Sequence, residues 1–586
     1  MLLSATCHFA GAQSFNSHLA TALQQRLDSM VTLFPGTKGM SAAVYCPGQG
    51  IWTGASGESH SGQPITTGME FGIASNSKIF TAALLLKLAE GNVLHLDDSL
   101  HQWLPTYPNI HPDITIRQLL NHTSGVSDPF FTTGLLDTIE LHPTHVYSPE
   151  EVLAWVGLPQ FAPGASSGYS NINYILAGMV AESATGMPIA QLIRDSLLIP
   201  LQLDSTFYDV EETVLGVIAH RWHQGVDFHD TSRVALNTSG GPAGSLFSTS
   251  GEMVQWYHAL LGGQVLQAGS LAEMTTFVNP GDYGLGINRQ PFFDNECWGH
   301  GGSTFGYTSR MIYDPCRQAA VCGLSNSDLS AVDGITAMLY KLLVDSLPGC
   351  AGAISGAPEV CQGQTGVTFT TPAILHATSY SWTLPGGATG TSATNSITLD
   401  FGAAAASGEI SVRGTNLYGG GAASVLAVQV LNQPATPVIA LLDDVLHSDA
   451  PAGNQWYNQD GPIAGATGQD YVISETGFYY ARVTLSGCVS DSSNLIYFTP
   501  TGTQESVGSG VVRVYPNPVS NELNLEAGDD SDRVFFEILN GLGQLVSKGS
   551  FSEKHTISTG HFAPGVYWLK IENGRTQVWV KLLKEQ

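Results

Sequence analysis

Basic side chains are scarce in this chain of 586 residues. Only 22 Lys and Arg stand against 49 Asp and Glu, which gives a formal charge of -27. A chain this acidic repels phosphate backbones and anionic membrane surfaces, so nucleic acid is excluded as a partner. A run of about 18 apolar residues, the length that a membrane-spanning helix needs, is also missing. We therefore expect no transmembrane segment.

Motifs that bind metals or cofactors are missing as well. None of the eight cysteines forms a C-x-x-C pair, which argues against a zinc knuckle or a thioredoxin-like site. Four histidines invite a metal interpretation, but no H-E-x-x-H motif or carboxylate pattern accompanies them: His142, His145, His220 and His223. We therefore expect neither a metal nor a cofactor.

Residues 1–18 have a signal-like character. A short apolar patch ends in Ala10-Gly11-Ala12, which fits the small residues of a signal cleavage site, although a positive stretch before it is missing. We interpret the segment as a clipped or mis-started signal peptide; the alternative is a disordered N-terminus. Cleavage after Ala12 removes Cys7 and leaves seven cysteines, so at least one is expected to be unpaired.

The chain is several domain lengths long, and its character changes at Cys350. Before this point helical and strand patterns are mixed, as in an α/β or α+β enzyme. After it strands dominate and Gly, Thr and Ser recur every eight to twelve residues or so, which is typical of β-sandwiches. We predict domains at residues 19–350, 351–433 and 434–499, a flexible linker at 500–510 and a small all-β unit at 511–586.

The first candidate for chemistry is Ser75-Asn76-Ser77-Lys78, the only Ser-x-x-Lys in the chain. It lies where a strand-like segment gives way to an apolar helix predicted over Ser77 to Glu90, with Gly91 as its C′ residue, the position that commonly takes a left-handed conformation. The i, i+3 spacing places Ser75 and Lys78 on one face. Ser75 is then near the helix N-terminus, where free backbone N–H groups and the helix dipole favour an oxyanion.

Two further elements follow along the chain. The first is Tyr169-Ser170-Asn171; the other Tyr-x-Asn sequences, at 107–109 and 515–517, contain a middle Pro and are typical of turns. The second is His300-Gly301-Gly302 with Ser303, followed by a strand predicted through residues 305–313. A rival His-x-Gly at 223–225 has no strand pattern after it. Glycines at such a place allow a substrate to approach a strand edge closely.

In this order the three elements resemble the serine β-lactamase and penicillin-binding protein superfamily, in its class C β-lactamase, D-alanyl-D-alanine carboxypeptidase and esterase branch. Residues 116–125 and 299–302 support the resemblance, which covers about residues 19–348. It implies an α/β (α+β) domain in which helices flank an antiparallel sheet, with an additional helical subdomain. The β-sandwich modules would follow this domain, so the fold class is multidomain.

The resemblance also implies a role for each site residue. Ser75 would be the acylated nucleophile, and Lys78 would accept its proton or keep the base deprotonated. Tyr169 would shuttle protons, and Asn171 would hold Lys78 and the substrate.

The third element would complete the site. The backbone N–H groups of Ser75 and Ser303 would form the oxyanion hole, beside Gly301 and Gly302. His300 would be the remaining catalytic residue. It stands where β-lactamases usually have Lys, and this departure argues against β-lactamase activity.

Residues 511–586 resemble the C-terminal sorting domain read by the type IX secretion system. Its landmarks are Tyr515-Pro516-Asn517-Pro518, the stretches 539–546 and 564–570, and a basic end. The resemblance implies the secretion machinery as a partner and export through the periplasm and outer membrane, to a secreted or surface-attached location. The two preceding units resemble polycystic-kidney-disease-like and immunoglobulin-like modules of surface enzymes, and serve as spacers or bind carbohydrates or surfaces.

Three functions remain open. The first is a secreted serine hydrolase that cleaves an amide or ester, with D-alanyl peptides or small acyl esters as substrates. The second is a true β-lactamase, whose substrate is a β-lactam. The third is a non-catalytic surface-binding protein on a hydrolase scaffold, although such a scaffold would be expected to have lost Ser75, Lys78 or Tyr169.

Overall fold

The computed structural model of the chain describes residues 15–132, 134–278, 280–498, 512–527, 533–572 and 577–585. The predicted signal cleavage site and the predicted linker at 500–510 lie outside these described residues. Up to residue 346 the helices are α1 (Ser17–Leu33), α2 (Lys78–Glu90), α3 (Ile116–Leu120), α4 (Pro129–Thr132), α5 (Leu135–Leu141), α6 (Pro149–Leu153), α7 (Asn171–Thr185), α8 (Ile189–Ile193), α9 (Ile199–Leu201), α10 (Val234–Gly240), α11 (Ser250–Leu261), α12 (Ala268–Met274) and α13 (Val332–Ser346).

The strands of the same part alternate with these helices, and two 3-10 turns, Ala74–Ser77 and Gly241–Ala243, belong to the site described below. The strands are β1 (Gly39–Cys46), β2 (Gly50–His60), β3 (Gln63–Pro64), β4 (Met69–Gly72), β5 (Phe207–Tyr208), β6 (Val217–Ile218), β7 (Trp222–His223), β8 (Val226–Asp227), β9 (Leu246–Ser248), β10 (Asn288–Phe292), β11 (Asn295–Gly299), β12 (Gly301–Thr304), β13 (Tyr307–Asp314) and β14 (Ala319–Ser325).

An eight-stranded antiparallel sheet forms the centre of this part. Its strand order is β10-β11-β13-β14-β1-β2-β3. The eighth strand, β12, pairs with the first half of β13. One face packs against α1 and α13, where Leu23, Leu27 and Leu339 are fully buried, and the other contacts α11. Because both faces are covered, β13 and β14 are buried along their whole length, although β13 includes the polar residues Thr308, Ser309, Arg310 and Asp314. The predicted helix-flanked antiparallel sheet is confirmed.

The helical subdomain contains α2 to α10 and shares one large core with the inner face of the sheet. Its central helix α2 is buried on almost every side, so its apolar residues do not form a stripe. Two details of the predictions around it are wrong. The helix begins one residue later than predicted, at Lys78, after the Ala74–Ser77 turn. Gly91 has φ -80° rather than a left-handed conformation, which Asn92 adopts with φ 55°.

The strand predicted through residues 305–313 is present as β13, which begins at Tyr307 and forms a hairpin with β12. Strands β12 and β13 pair from Gly301 opposite Arg310 to Thr304 opposite Tyr307, with the reversal at Phe305-Gly306. Gly306 has φ 85°, and a Cβ there would lie 2.7 Å from the Arg221 Cβ. The left-handed glycine therefore places a turn at the first two residues of the predicted strand, which begins two residues later than predicted.

Three sandwich-like β units follow, each with its own apolar core. The predicted β-sandwich modules are therefore confirmed, while their boundaries stay predictions. Their strands are β15 (Glu359–Cys361), β16 (Val367–Thr370), β17 (Ser379–Thr383), β18 (Ala388–Thr389), β19 (Ser396–Phe401), β20 (Gly408–Asn416), β21 (Gly419–Gly420), β22 (Ser424–Leu431), β23 (Ile439–Leu442), β24 (Val445–Ser448), β25 (Asn454–Asn458), β26 (Gly461–Pro462), β27 (Asp470–Val472), β28 (Gly477–Leu485), β29 (Cys488–Val489), β30 (Ile496–Phe498), β31 (Arg513–Tyr515), β32 (Glu522–Glu526), β33 (Val534–Asn540), β34 (Leu545–Phe551), β35 (Lys554–Ser558), β36 (Gly565–Glu572) and β37 (Gln577–Lys584).

Two disulfides connect the parts of the chain. Cys316–Cys350 closes the end of the first part, and Cys361–Cys488 joins the first sandwich to the second. The free cysteines of the described residues are buried: Cys46, Cys297 and Cys322. Within the part of the chain that the structure describes, none of the helices has the length and apolar character needed to cross a bilayer.

Candidate active site

Ser75 lies in the Ala74–Ser77 turn, between β4 and α2. Ala74 has φ 48°, a left-handed conformation that is unfavourable for a residue with a Cβ. The Ser309 hydroxyl on β13 helps to hold the turn, because it donates to the carbonyl of Ile73, the residue before Ala74, at 2.7 Å. The turn thereby places Ser75 at the wall of a cleft, partly exposed to it.

Lys78 is fully buried beneath Ser75. Its Nζ lies 3.0 Å from the Ser75 Oγ, 2.7 Å from the Asn171 Oδ1 and 2.7 Å from the Ala243 carbonyl oxygen. The last two atoms are acceptors only, so they take both hydrogens of a neutral amine. The remaining lone pair then faces Ser75. Burial lowers the pKa of Lys78 to about 7, against the opposing charge of Asp128, so the neutral form is populated at neutral pH.

Tyr169 completes a short chain of hydrogen bonds. Its hydroxyl donates to the Ser75 Oγ at 2.8 Å. Although 36% of the residue is exposed, desolvation of the hydroxyl end raises the Tyr169 pKa above its ordinary value, so it remains a phenol. Since Ser75 accepts from Tyr169, its own hydrogen is free to be donated to Lys78.

Asp128, which the sequence patterns did not reveal, orients Asn171. Its Oδ2 accepts the Asn171 backbone N–H at 2.8 Å and the Asn171 Nδ2 at 2.9 Å. The amide is therefore turned so that its oxygen faces Lys78. Burial raises the pKa of Asp128, which is only 2% exposed, and its bonds to the start of α7 oppose this shift. No local motif marks Asp128, which lies 43 residues before its partner.

His300 is buried beside this group without joining its hydrogen bonds. Its Nδ1–H donates to the Gly301 carbonyl at 2.5 Å, and its Nε2 accepts from the Tyr283 hydroxyl at 2.9 Å. Burial, with a smaller contribution from Lys78, lowers the His300 pKa to about 3, so the ring is neutral. Its centroid lies 6.1 Å from that of Tyr169. Its direct catalytic role stays a prediction, and Tyr283 is a partner that the sequence did not indicate.

Strand β12 packs tightly against the Ala74–Ser77 turn. A Cβ at Gly302 would lie 2.4 Å from the Ile73 carbonyl oxygen, and one at Gly301 would lie 3.3 Å from an Arg310 Nη1. The two glycines therefore allow the strand backbone to approach the turn, while their role in close approach of a substrate stays a prediction. Ser303 follows them on the cleft wall, where its N–H stays the predicted second oxyanion donor.

The cleft has a volume of about 620 Å³. Apolar side chains such as Phe130, Phe131 and Phe305 line one part, and the carboxylates of Asp328 and Asp333 line another. None of the described residues that line it is Lys or Arg. The cleft therefore offers no permanent positive charge to anchor a substrate carboxylate.

Two further side chains, His223 and Arg289, lie near the third element and form ion pairs. His223, of the rejected His-x-Gly, lies on the cleft wall, where its Nδ1 pairs with Asp328 and its Nε2 lies 3.6 Å from Glu140. Arg289, on β10, pairs with Asp282 at 2.5 Å and is not among the lining residues. Of the described residues, no group of three His, Cys, Asp or Glu side chains is placed to hold a metal ion.

Comparison with family models gives three matches along the chain. The model described as Beta-lactamase matches residues 27–345, a PKD-like domain matches 347–428, and the Secretion system C-terminal sorting domain matches 513–585. These matches agree with the resemblances identified from the residues.

Individual relatives match mainly the first part of the chain. Penicillin-binding protein 4* of Bacillus subtilis is 35% identical over 148 residues, which cover 25% of this chain and 32% of that protein. A D-aminopeptidase of Cereibacter sphaeroides is 25% identical over 354 residues, which cover 58% of this chain and 66% of that protein. The chain thus spans less than two thirds of either relative. A solved structure of D-amino acid amidase from Ochrobactrum anthropi SV3, complexed with D-phenylalanine, is 25% identical with a TM-score of 0.51, over 56% of this chain and 99% of that one.

Proposed function

Because this chain belongs to the β-lactamase family of serine hydrolases, we propose that it is a secreted enzyme that cleaves an amide or ester through an acyl-enzyme on Ser75. One observation carries the proposal. The Ser75 hydroxyl lies between a phenol that donates to it at 2.8 Å and the Nζ of a buried lysine 3.0 Å away, which can take its proton when the amine is neutral. This arrangement is what activation of a serine nucleophile requires.

In the first half of the reaction, Lys78 takes the Ser75 proton while Oγ forms a bond to the substrate carbonyl carbon. The oxyanion is stabilised by the backbone N–H groups of Ser75 and Ser303. The bond to the leaving nitrogen or oxygen then breaks, and Tyr169 donates a proton to the leaving atom. Lys78 returns its proton to Tyr169, so the net transfer is from serine to leaving group.

In the second half, water attacks the acyl-enzyme and forms the acid. Tyr169 and Lys78 take one water proton by the reverse route, and Ser75 recovers its hydrogen as the acyl–Oγ bond breaks. His300 stays neutral throughout because its pKa is about 3. It acts by holding Tyr283 and the start of β12.

The charge of the cleft favours substrates with a free amino group. Asp328 and Asp333 supply negative charge, and the lining residues include no Lys or Arg to hold a terminal carboxylate. The relatives named D-aminopeptidase and D-amino acid amidase fit this preference. We therefore place amides and short peptides of D-amino acids, such as D-alanyl amides, ahead of the D-alanyl-D-alanine carboxypeptidase and β-lactamase alternatives.

A substrate series tests this order. D-alanine p-nitroanilide should be cleaved faster than its N-acetyl form and faster than the L-isomer, with the Ser75→Ala variant as the blank. A chromogenic cephalosporin should be turned over more slowly than p-nitrophenyl acetate. A preference for the N-acetyl amide would contradict the amino-group assignment. A cephalosporin preference of about 100-fold, or roughly 2.7 kcal/mol of transition-state stabilisation, would favour the β-lactamase function.

The C-terminal match supports a location outside the cell. We propose that residues 511–586 direct the protein to the type IX secretion machinery, and that the enzyme acts after export, secreted or attached to the cell surface. The sandwich units between the enzyme and the sorting domain would then act as spacers.

A further inference from the structure

A second cavity lies behind the Gly241–Ala243 turn, on the side away from Ser75. It has a volume of about 410 Å³ and is enclosed by α7, α10 and the segment that follows β5. Most of its wall is apolar, from side chains that include Val146, Ile175, Met179, Ile189, Val210 and Val234. Asn237 lines both this cavity and the cleft, and α10 with the turn separates the two.

Two carboxylates face this cavity without a positive partner. Glu182 accepts only the Ile189 backbone N–H, at 2.8 Å, and within the described residues no hydrogen bond or ion pair involves the Glu211 carboxylate. Their neighbour Glu212 differs, because Arg194 binds both its oxygens, at 2.7 and 3.1 Å. No Lys, Arg or His of the described residues lines the cavity. No cation of the described residues therefore compensates the charge of the half-buried Glu182 or of the exposed Glu211.

Tyr208 provides an independent sign of a ligand. It is 3% exposed, yet its hydroxyl has no hydrogen-bond partner among the described residues. The hydroxyl reaches the cavity wall, since a Cβ on the lining residue Gly241 would lie 3.4 Å from it. The Tyr208 ring is buried while its hydroxyl is open to the cavity, so an occupant of the cavity can supply the hydrogen-bond partner that the protein does not. Burial and the charges of Glu211 and Glu182 raise the Tyr208 pKa, which keeps it a phenol.

We propose that this cavity binds a primary ammonium group carried on an apolar stem. Three N–H donors match the two carboxylates and the Tyr208 oxygen. The apolar walls match an alkyl or aryl stem, and the volume lies in the range of small-molecule sites. A bare metal ion would leave these walls without contact. The site is separate from the reaction at Ser75, but its occupant touches Pro242, next to the Ala243 carbonyl that holds Lys78.

Titration calorimetry on the full-length protein at pH 8 tests the proposal with n-hexylammonium and its neutral analogue 1-hexanol. We expect n-hexylammonium to bind at least tenfold more tightly than 1-hexanol. Glu182→Gln keeps an oxygen for Ile189 and should weaken n-hexylammonium binding at least tenfold. Glu211→Gln should do the same, and Tyr208→Phe should weaken it severalfold. Thermal melts show whether each variant is folded.

Asp328→Asn is the matched control, because it removes a carboxylate of the catalytic cleft: it should affect only n-hexylammonium bound in the cleft and should leave the binding that depends on Glu182 and Glu211 unchanged. Equal affinity for the alcohol and the ammonium would overturn the proposal. So would binding that survives both glutamate substitutions, and so would binding that is lost only in Asp328→Asn, since the ammonium would then occupy the cleft. The result does not depend on catalysis, so it stands apart from the tests with Ser75→Ala.

Discussion

Lowering the pH should remove the base that activates Ser75. Burial holds the pKa of Lys78 at about 7, so about nine-tenths of the side chain is neutral at pH 8 and about 3% at pH 5.5. Only the neutral amine can take the serine proton. We therefore expect kcat/KM to fall about thirtyfold between pH 8 and pH 5.5, along a single titration curve with its midpoint near 7.

The other groups of the site should not add a second curve. The Tyr169 pKa is raised above its ordinary value and the His300 pKa is about 3, so neither titrates between pH 5 and pH 9. Glu70 is a matched control, because burial also raises its pKa to about 7 and it lies on β4, just before the Ala74–Ser77 turn. The Glu70→Gln variant should keep the same midpoint in kcat/KM.

The assay is p-nitrophenyl acetate hydrolysis, with the rate of Ser75→Ala subtracted at each pH. A lysine with its ordinary pKa of 10.5 would instead give a tenfold increase for each pH unit through pH 9. That result, a flat profile, or a midpoint that disappears in Glu70→Gln would refute the assignment of Lys78 as the base.

Three further perturbations have expected outcomes. Asn171→Asp places a carboxylate against Lys78, which raises the lysine pKa and should shift the midpoint of kcat/KM to higher pH; an unchanged midpoint would contradict this contact. Folded Glu70 keeps a proton that the unfolded chain releases above its ordinary pKa of 4.5, so stability is lost as pH rises from there through 7. Glu70→Gln should therefore raise Tm at pH 8 but not at pH 4, and equal shifts at both would count against this ionisation. Deleting residues 511–586 should leave kcat/KM unchanged and retain active enzyme in the periplasm, and its normal appearance in the medium would disprove the sorting role.

The central residues of the site could be predicted because they lie in short motifs. Ser75 and Lys78 share one turn of chain, so local spacing alone places them together. Tyr169 lies 94 residues from Ser75, and no spacing rule joins them. Their contact was predicted only because the order of motifs resembles a known family.

The residues that escaped prediction act through the tertiary fold. Asp128 orients Asn171 across the site, and the Ala243 carbonyl fixes Lys78 from 165 residues away. A backbone carbonyl carries no sequence signal at all. His223 was set aside because no long strand follows it, yet the short hairpin of β7 and β8 brings it to the cleft.

Local conformation accounts for the wrong boundaries. The apolar pattern of α2 extends to its first residues but cannot show that Ala74 takes a left-handed conformation, which makes a 3-10 turn precede the helix. The turn at Gly306 was missed for the same reason, because the composition of the neighbouring residues is that of a strand and does not show the left-handed conformation of the glycine. The disulfide between Cys361 and Cys488 depends on how two sandwiches pack, which cysteine spacing does not encode.

The most direct test of the account is the identity of the acylated residue. After labelling with a fluorescent penicillin, peptide mass mapping should locate the adduct on Ser75, and the Ser75→Ala variant should remain folded and unlabelled. Ser303→Ala, which removes another serine hydroxyl of the cleft wall but keeps its backbone N–H, should still be labelled. An adduct on another residue, or labelling that persists in Ser75→Ala, would contradict the central claim.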